Sequence, residues 1–172
     1  MKSNIVLIGL SGCGKSSFGK RLARRLRMPL LDTDAMIVKR QGRSIADIFA
    51  RDGEPFFRNL EAQCAREAAA CCGAVISTGG GMVLREENME ALKQSGMVFF
   101  IDRHPALILR TASLDDRPLV QSDGEKLFRL YRERIALYRR WADFTIVNNR
   151  SMNKRLKRGI LRIMRRWRKR AA

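Results

Sequence analysis

Apolar and polar residues along this chain follow two rhythms. Short, continuously apolar runs stand at Ile5–Leu10, Leu30–Asp32, Ala74–Thr78, Val98–Ile101 and Phe144–Val147. They have the length and β-branched content of buried strands. Between them the apolar positions recur at helical spacing. Phe18, Leu22 and Leu26 form such a stripe after the first run, and the pattern predicts helices at about 15–27, 34–41, 45–51, 54–71, 86–95, 105–113 and 124–142. Ser44 with Asp47 three residues later is a capping-box signature for one helix start, and Gly96 a plausible stop for the helix that opens near Glu86. Strands alternating with helices predict an α/β fold with a parallel sheet covered on both faces. The least regular stretch, about 112–123, is polar and contains Pro118, and it reads as a flap over a site.

The turn after the first strand changes the picture from fold to chemistry. Gly9 to Ser16 reads G-L-S-G-C-G-K-S, a complete phosphate-binding loop with a strand before it and a helix after it. That geometry aims backbone N–H groups and a helix N-terminus at one anion. Gly12, Cys13, Gly14, Lys15, Ser16 and Ser17 are the expected nucleotide-binding set. Lys15 is expected to reach the β- and γ-phosphates, and Ser16 to hold Mg²⁺.

In a doubly wound sheet, ligands sit at the carboxyl ends of strands. Two more segments fall there. Asp32-Thr33-Asp34 follows the second strand, and extended alternation would put both carboxylates on one side. Asp32 is the expected support of Mg²⁺, directly or through water. Asp34 is the expected acceptor of an acceptor hydroxyl's hydrogen bond and a candidate base. A plain turn in which Asp34 caps the next helix is the competing reading. Gly79-Gly80-Gly81 follows the third strand; three glycines are expected where backbone approaches something closely, such as a small substrate, and a plain flexible turn is the competing reading.

Composition bounds the alternatives. A chain of 172 residues with 45% hydrophobic content is expected to be one domain with a real core. No apolar run approaches the ~18–20 residues needed to span a membrane. The first strand begins at once, so no leader is expected. Cys13, Cys64, Cys71 and Cys72 match no zinc spacing, the lone histidine, His104, lies far along the chain, and the four cysteines fit a reducing, cytoplasmic setting. Cys13 stands at a helix N-terminus, where thiols can become reactive, although a small loop-filling role is the commoner one. The net charge is +18. Eleven lysines and arginines and no carboxylate lie from Arg150 onward, which leaves +7 on residues 1–149. The segment from about 152 to 172 carries a helical apolar stripe, expected as far as Met164 to dock on the sheet as a last helix with its basic face in water, and an arginine-rich end. That end could hold nucleic acid or an acidic surface by charge alone.

The motifs together resemble the shikimate kinases over about residues 4–150. They are G-L-S-G-C-G-K-S-S at 9–17, L-L-D-T-D at 30–34, G-R-S-I-A-D-I-F at 42–49, G-E-P-F-F-R-N-L-E at 53–61, S-T-G-G-G at 77–81, R-P-L at 117–119 and R-I-A-L-Y at 134–138. The resemblance implies a P-loop, nucleoside-monophosphate-kinase-like fold of three α/β/α layers. It implies a five-stranded parallel sheet, a lid at about 112–123 and a helical acceptor-binding segment after Asp34. It implies MgATP as donor and shikimate as acceptor, phosphorylated on its 3-hydroxyl by a monomer. Carried over by residue, Asp34 binds acceptor hydroxyls, Arg58 and Arg134 clamp its carboxylate, and Gly79, Gly80 and Gly81 lend backbone. Lys15 and Arg117 neutralise the moving phosphoryl group, Arg110 approaches the phosphates, and Arg150 borders the adenine. Ala136 and Ser17 depart from residues common in the family without removing a functional group. A related kinase of gluconate, or a nucleic-acid-binding protein with a vestigial kinase body, are the other readings.

Overall fold

The computed structural model describes residues 3–111 and 124–149. The expected lid at 112–123 and the basic segment from Arg150 onward lie outside the described residues. Five strands form one sheet in the order β2-β3-β1-β4-β5. They are β1 (Asn4–Ile8), β2 (Leu30–Asp32), β3 (Val75–Ser77), β4 (Gly96–Asp102) and β5 (Phe144–Val147). Every pairing is parallel. β1 lies at the centre, with Ile5 opposite both Val75 and Met97.

The helices are α1 (Lys15–Leu26), α2 (Thr33–Gln41), α3 (Ile45–Ala70), α4 (Glu86–Ser95), α5 (Pro105–Leu109) and α6 (Gly124–Trp141). A single 3-10 turn covers Met82–Leu84. The two faces of β1 sort the layers by simple alternation. Ile5 and Leu7 pack with Phe18 and Leu22 of α1 and with Phe99 and Ile101 of β4. Val6 and Ile8 pack with Ala65 and Ala68 of α3, Met89 and Leu92 of α4, and Phe100. The expected three-layer α/β/α architecture is therefore present. A third cluster, Ile37, Ile48, Phe57, Leu60 and Cys64, holds α2 against α3 away from the sheet.

Several boundaries differ from the sequence expectation for local reasons. The two helices expected at 45–51 and 54–71 are both present, broken at the non-helical Gly53 (φ 79°, ψ 174°) with Pro55 just beyond, and α3 denotes the pair. Proline has no N–H for the ladder and so sits where the helix restarts. The capping box is formed: Ser44 Oγ accepts from Asp47 N, and Ser44 N donates to the Asp47 carboxylate. β4 is longer than Val98–Ile101, because Gly96 ends α4 and starts the strand at the same residue. β1 stops at Ile8, two residues short of Leu10, where the chain turns into the phosphate loop. α5 ends at Leu109, short of 113.

Candidate active site

The phosphate loop begins from backbone geometry. Gly14 is the N-cap of α1 at φ 104°, and no side chain caps the helix. A left-handed N-cap is open to glycine at no steric cost. The N–H groups of the first helical turn have no intrahelical carbonyl to bond, which leaves them for an anion. Lys15 is 7% exposed, and its Nζ donates to Gly9 O at 2.8 Å and Leu10 O at 2.9 Å. The ammonium thus lies across the mouth of the loop. Ser16 Oγ donates to Asp32 Oδ2 at 3.0 Å. A hydroxyl and a carboxylate so placed are the hard oxygen donors that Mg²⁺ takes beside a phosphate, so the residues present fit that ion.

The alternation argument for Asp32 and Asp34 fails. β2 ends at Asp32 and α2 starts at Thr33, so no extended chain joins the two carboxylates. Nor does Asp34 cap the helix. Asp32 does, its Oδ1 accepting from Ala35 N at 3.3 Å. A helical turn carries Asp34 toward β3 instead. Its Oδ1 would lie 2.5 Å from a Cβ on Gly79, and Glu61 Oε1 2.8 Å from the same point.

Polar side chains converge on all three glycines. Asp34 stands against Gly79. Gly80 O accepts from Arg134 Nη1 at 3.1 Å and from Tyr138 Oη at 2.6 Å. A Cβ on Gly81 would meet the Arg58 guanidinium carbon at 2.6 Å. The segment is pinned as well: Gly79 N donates to Thr33 Oγ1 at 3.0 Å. Any side chain here would displace the groups that converge on it.

Arg58 is oriented by two carboxylates on its own helix. Nη1 donates to Glu61 Oε2 at 2.7 Å, and Nη2 and Nε donate to Glu54 Oε1 at 2.8 and 3.1 Å. Glu61 lies three residues beyond Arg58, the i,i+3 spacing at which helix side chains meet. Burial would lower the Arg58 pKa, but the Glu61 charge and the hydrogen bonds to Glu61 and Glu54 outweigh it and raise it. Glu61 is 1% exposed. Burial pushes its carboxyl above the usual range and nearby Asp34 adds to this, while Arg58 and Arg134 pull the other way. Its Oε1 accepts no hydrogen bond among the described residues. The site is therefore an anion loop and a carboxylate–arginine pocket, joined where Ser11 Oγ crowds Gly80.

Comparison with known proteins decides among the kinases that share such a loop. A family model described as shikimate kinase matches residues 11–165. The chain belongs to the shikimate kinase family. A shikimate kinase of Clostridium beijerinckii is 39% identical over 152 residues, 88% of this chain and 89% of that one. One from Symbiobacterium thermophilum is 47% identical over 130 residues, 74% of each. Among solved structures, a shikimate kinase from Acinetobacter baumannii in complex with shikimate matches with a TM-score of 0.86. It is 35% identical and covers 94% of this chain and 92% of that chain.

For a shikimate kinase, the described residues gather most of the expected set: Lys15, Ser16 and Asp32 on one side, Asp34, Arg58, Gly79, Gly80, Gly81 and Arg134 on the other. Arg110 ends α5 and is exposed there. Arg117 and Arg150 lie outside the described residues. Cys13 is fully buried, with its N–H on Leu10 O at 3.1 Å, which favours the loop-filling role over a reactive one. Sequence reasoning gave no role to Tyr138, Thr33 or Asn148. Tyr138 is fully buried beneath Gly80, and burial raises its pKa far above the ordinary phenol value. Its place in R-I-A-L-Y was the available signal. Asn148 is 2% exposed and donates from Nδ2 to Cys13 O at 2.9 Å; no local pattern marks it.

Proposed function

We propose that this shikimate kinase transfers the γ-phosphoryl group of ATP to the 3-hydroxyl of shikimate, giving shikimate 3-phosphate for the building of aromatic amino acids. The observation that carries the reading is the alignment of Asp34, Arg134 and Arg58 on three successive glycines beside a phosphate loop. A hydroxylated carboxylate fits that row. Three of the five N–H donors of Arg58 are held by Glu54 and Glu61. The other two, with Arg134, would grip a carboxylate in the fork geometry that lysine cannot offer. Asp34 would accept from the acceptor hydroxyls and take the proton of the attacking one.

The donor side needs alignment and charge neutralisation more than covalent help. The N–H groups at the start of α1 and the Lys15 ammonium would bind the phosphates. Ser16 would hold Mg²⁺, with Asp32 doing so directly or through water. The ion, when bound, neutralises charge on the β- and γ-oxygens. Arg117 would arrive with the lid, exclude water and steady the moving group; Arg110 would approach the phosphates and Arg150 the adenine. The enzyme would work as a monomer in the cytosol. Its free thiols at Cys13, Cys64, Cys71 and Cys72 suit a reducing compartment.

A coupled ADP-release assay over shikimate, quinate, gluconate and nucleoside monophosphates tests the reading. Turnover is expected with shikimate and to require Mg²⁺. Strong turnover with gluconate alone would overturn it.

A further inference from the structure

Three carbonyls of the phosphate loop are held by side chains. Gly9 O and Leu10 O accept from Lys15 Nζ. Cys13 O accepts from the side-chain amide of Asn148, 135 residues away in sequence. The described residues contain no cis peptide. Across a trans peptide the C=O and the following N–H point in opposite directions. Holding Cys13 O inward therefore turns the Gly14 N–H outward, to the side where a phosphate binds.

Asn148 is fitted to that task. Its backbone N–H donates to Asp102 O at 2.6 Å, which locks it to the end of β4. Its neighbour Asn149 accepts from His104 N at 3.1 Å. Nδ2 would lie 3.1 Å from a Cβ on Gly14, so the amide packs directly on the residue whose peptide it sets. Because the atom it meets is a carbonyl oxygen, the facing group must be the NH₂. Gly14 itself, at φ 104°, is a glycine and so is able to reorient. Freed of its partner, the 13–14 peptide could present an oxygen to the phosphate rather than an N–H.

We propose that Asn148 is a positioning residue for nucleotide binding: it fixes the 13–14 peptide so that the Gly14 N–H faces the phosphates. It acts through the loop and touches neither the base nor the acceptor. The inference rests on the nucleotide site argued above.

The test compares wild type with Asn148→Ala, Asn148→Asp and Asn148→Ser in Mg²⁺-containing buffer. KM values for ATP and shikimate are read alongside inhibition constants of ADP and adenosine against ATP. Asn148→Ala is expected to weaken ATP and ADP by about tenfold, as for a lost bond to a group that binds charge. Adenosine inhibition and the shikimate KM are expected to stay within about twofold. Asn148→Asp is expected to be worse, since a carboxylate would face a carbonyl, and Asn148→Ser to recover part of the loss. Equal weakening of adenosine and ADP would overturn the inference, because Asn148 would then act at the base. Unchanged ADP inhibition in a folded variant would also overturn it. If Asn148→Ala does not fold, the Asn148→Ser and Asn148→Asp pair carries the same comparison. A wild-type protein that ADP does not inhibit would instead sink the nucleotide site itself.

Discussion

Arg58 and Glu61 form one ion pair that bears on stability and on the proposed acceptor clamp. Arg58 is 11% exposed at its side chain and Glu61 1%. Removing the arginine strands a buried carboxylate, which costs about 3–5 kcal/mol when a pair is truly interior. Arg58→Lys is therefore the cleaner probe: it keeps the charge and loses the fork. The shikimate KM is expected to rise about tenfold or more while the ATP KM holds, since one charge-assisted bond is worth ~1.5–3 kcal/mol. Equal loss for both substrates would remove Arg58 from the acceptor clamp. Glu61 gives a pH signature. Its folded pKa lies above the ordinary 4.5, so the native state holds a proton that the unfolded state has released. Wild-type stability therefore falls as pH rises from about 4.5 through the raised value, relative to Glu61→Gln. Urea unfolding of both proteins from pH 4 to 7 reads that difference, and a difference that grows with pH in favour of wild type would refute it. The Arg58–Glu61 pair was legible in sequence because it spans three residues of one helix. Tyr138 on Gly80 was not, because its partner lies 58 residues away and only the fold brings them together.

At the scale of elements, α3 joins the proposed acceptor pocket to the core. Its second half packs Ala65 and Ala68 under the sheet, while the same helix presents Arg58 to Gly81. Gly53 sets the angle between the two halves at φ 79°. Gly53→Ala is expected to cost about 1–3 kcal/mol, because φ 79° with ψ 174° is a conformation essentially only glycine adopts. It is also expected to raise the shikimate KM through tilt of the Arg58 segment. Ser44→Ala, at the start of the same helix, is the matched control. It loses the cap at about 1 kcal/mol and is expected to leave both KM values unchanged. Urea midpoints and steady-state kinetics on the two variants separate the effects; equal kinetics would make the kink purely structural. Sequence pattern read this region as two helices with a break, which is physically right at Gly53, although the chain then resumes the same run. The Asp32–Asp34 segment misled for the opposite reason. Two acidic residues one apart look like a strand end, and the helix that begins between them shows only through the cap at Ala35.

For the whole molecule, strand alternation was legible but strand order was not. Placing β1 between β3 and β4 sets the phosphate loop beside the three glycines, and that adjacency is a property of the sheet alone. Among the described residues no helix is long and apolar enough to cross a membrane. The charge of the molecule is concentrated beyond Arg150. Deleting residues 165–172 is expected to leave kcat and both KM values within about twofold, since no expected site residue lies there. Any affinity for a nucleic-acid backbone should vanish with the deletion and fall steeply with salt in the full chain. Loss of turnover on deletion would show that the end of the chain takes part in catalysis.

Asp32 ends β2 with one oxygen on Ser16 and the other on the first turn of α2. Asp32 thus joins the proposed donor side to α2, two residues from Asp34. A ligand that draws on Asp32 from the donor side would change how firmly α2 is started, and so how Asp34 is presented. Binding of the two substrates is expected to be linked, and any such linkage must be reciprocal; equal shikimate affinity with and without ADP would show that Asp32 transmits nothing. The factor by which ATP alters affinity for shikimate is the factor by which shikimate alters affinity for ATP.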